Sequence, residues 1–317
     1  MNEIIWGSVM VSTTLNIVQP AEQANNHSGT FAASTSAGHT ASQTTTPANV
    51  QIQPRNRSHD IAEALRGEWL ADDAFLTAAF NGMSITFPAG EKFFIDAVRH
   101  YRDEITDPEL QEHIRGFCGQ EGFHRREHQL YNETLCEARG YDLQKLEGKL
   151  TKRLDWARKN LPPIQNLAIT VAIEHFTAVL AELLLSSDSI MNKAEPSMRE
   201  LWRWHAAEEM EHKSVAFDVF RAVGGSEKVR IAVMRRATFF ISLELALALF
   251  YILRKDGKLL NFQLWRKGLA GLFGKQGAFS GGLALYKEFY AEGFHPWQQD
   301  TQQLLVDWAG DAPLAVS

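Results

Sequence analysis

The sequence predicts an all-α protein. Three observations carry this reading: from His59 onward long segments repeat apolar residues at helical spacing, short turn signals separate them, and no stretch alternates apolar and polar residues as a half-buried strand does. With 317 residues, 45% of them hydrophobic, the chain can bury a large core without help from disulfides.

Residues 1–58 are expected to form a disordered polar tail. Between Gln19 and Gln53 the chain is mostly Ser, Thr, Ala, Asn, Gln and Gly, which bury too little apolar surface to offset the entropy of ordering. The apolar run from Ile4 to Val18 lacks a basic start and is interrupted by Gly7, Ser8 and Ser12 to Thr14, unlike a secretory signal. No Lys or Arg precedes Arg55, which also argues against a mitochondrial presequence.

Residues 59–317 are expected to form one helical domain, with a bundle over about 88–222 and a helical extension over 225–317. Periodicity predicts a lead-in helix near 60–79, ended by Asn81-Gly82, and then helices near 88–105, 108–138, 142–159, 163–187 and 195–222. Asp107-Pro108 reads as N-cap and first helical residue, while Gly140 and Gly224 stand where helix C-termini are expected. Ala237 to Leu253 is apolar apart from Thr238, Ser242 and Glu244, and lies between Arg235-Arg236 and Arg254-Lys255. Too short for a comfortable membrane span of roughly 20 residues, it reads first as a buried core helix. The alternatives are a helix against a membrane surface or a homodimer contact through 237–253.

The net charge of −6 and the lack of a dense Lys/Arg cluster argue against a nucleic-acid partner. The only cysteines, Cys118 and Cys136, supply no disulfide framework, so a cytoplasmic home, peripheral to the membrane at most, is expected. No nucleophile elbow, phosphate-binding loop or dinucleotide fingerprint is present.

Chemistry concentrates in one constellation. Two-metal carboxylate bundles take one Glu from each of two helices and a Glu-x-x-His pair from each of two others, the i, i+3 offset placing each pair on one face. Along this chain come Glu91, then Glu121 with His124, then Glu174, then Glu209 with His212. With 24 Glu and 11 His, chance predicts about one Glu-x-x-His and three occur, so context must choose among them. Glu292 to His295 runs directly into Pro296, which disfavours helical geometry at His295, and is rejected. Four carboxylates repel one another, each pair by about 4 kcal/mol at 4 Å and an effective dielectric of 20. Two divalent ions would neutralise them.

The expectation is therefore a ferritin-like four-helix bundle with additional C-terminal helices, holding two metal ions on Glu91, Glu121, His124, Glu174, Glu209 and His212. The donor types favour iron, with manganese or zinc as alternatives. His205, one turn before Glu209, is a candidate seventh ligand, and Glu182 competes with Glu174. His128, Glu208 and Glu211 read as supporting or solvated residues, His100, His113 and His175 as surface or packing residues, and Cys118 as core.

Several segments resemble one known family. Phe87 to Glu91, Glu121-Gly-Phe-His-Arg-Arg-Glu-His128, Ala172-Ile-Glu174-His175, Trp204 to His212 and Phe294-His-Pro-Trp297 are similar to the bacterial predicted metal-dependent hydrolases, over roughly residue 60 to the end. That resemblance implies hydrolysis. The ligand order resembles the di-iron oxidases and oxygenases of the ferritin-like class, and His205 resembles the extra histidine of the arylamine N-oxygenases. The first expectation is thus an oxygen-dependent di-iron enzyme acting on a small, hydrophobic organic substrate, supplied by an electron donor if it is an oxygenase. Metal-assisted hydrolysis is the alternative, and iron binding without catalysis the third.

Overall fold

The computed structural model describes residues 44–186 and 188–311. Among these the chain is all-α, with no β-strand beyond a single bridge between Leu70 and Ala194. In order come α1 (Ala74–His100), α2 (Pro108–Arg139), α3 (Leu143–Asn160), α4 (Pro163–Ser186), the single turn α5 (Asp188–Met191), α6 (Pro196–His212), α7 (Val215–Ala222), α8 (Glu227–Lys255), α9 (Phe262–Phe273), α10 (Gly282–Glu288) and α11 (Gln302–Asp311).

Local chemistry sets the helix ends. The Asp73 carboxylate accepts the amide hydrogens of Phe75 and Leu76, and Asp107 accepts that of Glu109 with Pro108 opening α2. Glu195 accepts those of Ser197 and Met198, with Pro196 opening α6, and Ser226 caps α8 through Val229. Gly140 closes α2 in the left-handed region, with φ of 65°, where a side chain would be strained.

Three sequence expectations change. First, no lead-in helix fills 60–79: only a 3-10 turn forms at Ala64–Arg66, and α1 runs unbroken through Gly82 and Pro88. Pro88 deprives the Ser84 carbonyl of its i+4 donor, and the Asn132 amide of α2 bonds that carbonyl instead, at 3.0 Å. Gly82 lies where α8 crosses closely, and a Cβ there would stand 3.3 Å from that of Ala248.

Second, the helix expected over 195–222 is interrupted after His212 and divides into α6 and α7; at the junction buried Lys213 bonds the Gln299 carbonyl and the Thr301 hydroxyl through its ammonium. Third, the expected polar tail falls partly on residues 1–43, which lie outside the described residues, but residues 44–58 form an extended strap on the bundle. Thr44 and Thr46 are buried beside Asp218 and Ser214, respectively. Ile52 and Pro54 cross α2 at Gly116 and Gly119, where no side chain would fit. The strap is held by specific polar contacts and by a few apolar side chains, Val50 and Ile52 among them, that show no helical or strand periodicity, so its composition gave no hint of order.

Two helix pairs build the bundle: α1 packs along α2 and α4 along α6, with α1 against α4 and α2 against α6. The apolar helix α8 lies across both α1 and α4. Both α4 and α8 are long and apolar enough to cross a membrane by length and composition, yet they differ in surroundings: 67% of the apolar window is buried in α4 and only 22% in α8. The expectation of a buried core helix at 237–253 therefore holds for one face only, through Ala237, Glu244, Ala248, Ile252 and Leu253.

Candidate metal centre

The four bundle helices aim their carboxylates and imidazoles at one interior point. Glu91 comes from α1, Glu121 and His124 from α2, Glu174 from α4, and His205, Glu209 and His212 from α6, and all seven side chains are buried. They fall into two groups, Glu91, His124 and His205, and Glu121, Glu174, Glu209 and His212. Within each group one potential ligand atom per residue lies within 4.8 Å of the others. The His212 Nε2 stands 3.3 Å from Glu121, 3.5 Å from Glu174 and 3.6 Å from Glu209.

What these atoms lack is as informative as what they touch. Both carboxylate oxygens of Glu91, Glu121 and Glu174, one of Glu209, the Nδ1 of His124 and the Nε2 of His212 are buried with no hydrogen-bond partner. An unpartnered buried polar atom is costly, more so when charged, and here so many sit together that a shared cation is the economical explanation.

The titration behaviour expresses the same demand for positive charge. Burial pushes Glu91 and Glu174 well above the usual carboxylate range, helped by neighbouring carboxylates, and raises Glu121. Burial opposes protonation of His124, yet Glu208 and Glu209 lift it to about 10. His212 is also lifted well above its ordinary value despite burial, chiefly by Glu209. Burial would raise Glu209 too, but His212, His124 and His205 hold it well below the usual range. Without a metal, the imidazoles supply the cations.

The outer face of each imidazole is fixed by a partner, as is usual for metal-binding histidines. The His124 Nε2 meets Glu208 at 3.0 Å, and the His212 Nδ1 meets the Gln120 oxygen at 2.9 Å. Glu208 also accepts from the Trp204 indole, and Gln120 donates to Glu211 at 2.7 Å. Arg55 of the strap then closes over both acids, 3.1 Å from Glu208 and 2.6 Å from Glu211. Of these supporting residues, Glu208 and Glu211 were visible in the sequence only as helical neighbours of the ligands; Arg55 and Gln120 carried no signal.

His205 is fixed through a longer chain. The Asn132 amide nitrogen donates to the Ser84 carbonyl, so its oxygen accepts the Ser84 hydroxyl proton at 2.7 Å. That hydroxyl in turn accepts from His128 Nδ1 at 2.9 Å, leaving the His128 Nε2 lone pair to accept from His205 Nδ1 at 2.7 Å. Burial keeps His128 well below its ordinary value and His205 at about 4, so both rings are neutral. The remaining lone pair, on His205 Nε2, faces a Glu209 oxygen at 3.0 Å. Two lone pairs face each other there, an arrangement that calls for a cation between them.

A cleft reaches this centre from the side of α4 and α6. Its lining is mostly apolar, with Phe87, Leu180, Ala181, Leu184 and Trp202 leading to His205 and Glu209.

A family model described as "Predicted metal-dependent hydrolase" matches residues 53–300. The chain belongs to this family. The match to the predicted metal-dependent hydrolases begins inside the strap and takes in Arg55, earlier than the resemblance read from the bundle motifs. No curated protein and no solved structure matches the chain.

Other residues weighed from the sequence lie apart. Glu182 is half-buried and outside both ligand groups. His175 is buried against Phe289 and Phe294, and burial lowers it to about 4. His113 bonds Thr44, and His100 packs on Tyr101. In this family member His295 of the rejected third pair has extended backbone, with φ of −139°, caps the 3-10 turn at Pro296, and bonds Asp218 at 2.9 Å.

Proposed function

We propose that Glu91, Glu121, His124, Glu174, Glu209, His212 and His205 hold two metal ions, and that the protein uses them for metal-dependent hydrolysis of a small, largely apolar substrate. The observation that carries the metal assignment is the convergence of buried, unpartnered ligand atoms from four helices. Four carboxylates match two divalent cations in charge, as expected of a ferritin-like arrangement of two single Glu and two Glu-x-x-His pairs. Glu121 and Glu209, from the two paired motifs, would hold the ions together with the single carboxylates Glu91 and Glu174.

The chemistry such a centre supplies is acidification of water and polarisation of a carbonyl or phosphoryl group. The chain's own residues do the rest. Glu208, Gln120 and the Asn132–Ser84–His128 chain hold the three imidazoles in the tautomers that leave their ligand nitrogens free. The narrow cleft is lined mostly by apolar side chains and carries no Lys or Arg among its lining residues to bind a highly charged substrate; it must widen before an organic molecule enters. Hydrolysis is supported by the family description.

A second reading, oxidation of an organic substrate with dioxygen at a di-iron centre, is favoured by the donor set of four carboxylates and three imidazoles. One experiment separates the two. The metal-free protein is loaded anaerobically with iron, manganese or zinc and bound metal counted; each form is then assayed for ester and phosphoester cleavage and for oxygen consumption. Cleavage supported by zinc or manganese without oxygen uptake favours hydrolysis, and iron-specific oxygen uptake overturns it. Failure to bind any of the three metals removes both readings.

A further inference from the structure

The outer face of α8, continued by α9, is apolar and rimmed by basic groups. Along α8, Phe239 is 61% exposed and Phe250 48%. The turn after α8 passes through Gly257, and α9 packs back so that Trp265 lies against both Phe75 and Phe250. This leaves Leu260, Phe262 and Phe273 outward, at 94%, 80% and 66% exposed. On α8 the apolar stretch runs between Arg236 and Arg254, which is about 27 Å at 1.5 Å per residue.

Charge is segregated onto the same segment. Residues 227–275 carry ten Lys and Arg against three acidic residues, a net of +7, while the whole chain carries −6 and the remainder therefore −13. Arg235, Arg254, Lys255, Arg266 and Lys275 are all exposed. A basic rim around exposed aromatic and aliphatic side chains is the pattern of a helix lying in a membrane interface.

We propose that the α8–α9 face docks this protein on an anionic lipid bilayer, with the helices parallel to the surface and Phe239, Phe250, Phe262 and Phe273 inserted among the lipids. Crossing the bilayer is a poor alternative, because the inner face of α8 is fastened to the bundle. Glu244 pairs there with Arg153 of α3, and Ala248 packs at Gly82 of α1. A second copy of the chain would also cover the apolar stripe, but pairing this face with itself brings two sets of basic groups together. Anionic lipid complements them. This inference stands on surface residues alone and is independent of the metal assignment.

The test is flotation of the full-length protein with vesicles of phosphatidylcholine containing phosphatidylglycerol, compared with phosphatidylcholine alone, at low and high salt. The protein is expected to float with the anionic vesicles and to be released as salt rises. Phe239→Ser with Phe262→Ser, and separately Arg235→Glu with Arg254→Glu, should each weaken binding by roughly tenfold or more, with unchanged circular dichroism. All four residues are exposed or half-exposed, so the fold survives their replacement. No flotation, or equal flotation with both vesicle types, overturns the proposal. A dimer by light scattering that the phenylalanine variant dissociates, without lipid binding by either, assigns the face to a second copy instead.

Discussion

Replacing Arg55 by alanine tests whether the strap belongs to the site. Its guanidinium bonds Glu208 at 3.1 Å and Glu211 at 2.6 and 2.8 Å, and the two acids are almost fully buried while Arg55 keeps 30% of its side chain exposed. Breaking a fully buried pair costs roughly 3–5 kcal/mol, because the partner charge is stranded. Water reaching the exposed part of Arg55 screens this, so about 2–3 kcal/mol is expected here. For a domain of this size that is a drop of about 4–6 °C in melting temperature. Glu208 and Glu211 orient His124 and, through Gln120, His212, and loss of such outer partners typically lowers metal affinity about 10–100-fold. The assay is a thermal melt of the metal-free protein together with competition for limiting metal against a chelator. Arg57→Ala is the control, since the Arg57 guanidinium meets exposed Glu200, at 3.4 Å, and the Trp308 ring, at 5.7 Å, rather than a buried acid. Arg55→Lys keeps the charge but not the two-pronged contact and should fall between. If Arg55→Ala matches Arg57→Ala in both measurements, the strap does not support the centre.

Glu121→Ala and His212→Ala should each lose bound metal by elemental analysis, whereas Glu292→Ala and Glu182→Ala should keep it; full occupancy in the first two would sink the ligand assignment. Gly116→Ala should destabilise by about 1–2 kcal/mol in chemical denaturation, although alanine favours a helix by about 1 kcal/mol, because its Cβ would clash with the Ile52 carbonyl oxygen. Gly148→Ala in α3, with nothing nearby, should instead stabilise, and a stabilising Gly116→Ala would mean the strap is not seated there. Burial pushes the Cys118 thiol from 9.0 to about 11, which lowers its thiolate fraction at pH 8 about a hundredfold. Alkylation of the native protein should be correspondingly slow, and labelling as fast as in denaturant would contradict the burial.

The sequence by itself determined the helical class and the order of the candidate ligands, because both are written at short range. Periodicity needs only one helix, and Glu-x-x-His puts two donors on one helix face before any packing exists. The N-cap at Asp107 and the helix-ending Gly140 are local for the same reason. Tertiary structure decided the rest. Pro88 and Gly82 read as breaks, yet α1 passes through both, since Asn132 of another helix bonds the carbonyl that Pro88 leaves free and α8 crosses at the glycine. Glu174 rather than Glu182 enters the centre because the packing of α4 against α6 selects one turn of a shared face. Arg55 lies 153 residues from Glu208, and a polar segment gives no periodic sign of such a contact. His205 acquires its lone pair toward Glu209 only through Ser84, His128 and Asn132 on two other helices. Spacing along the chain can nominate a donor; its tautomer, its outer partner and the charge it must balance exist only once the helices are packed together.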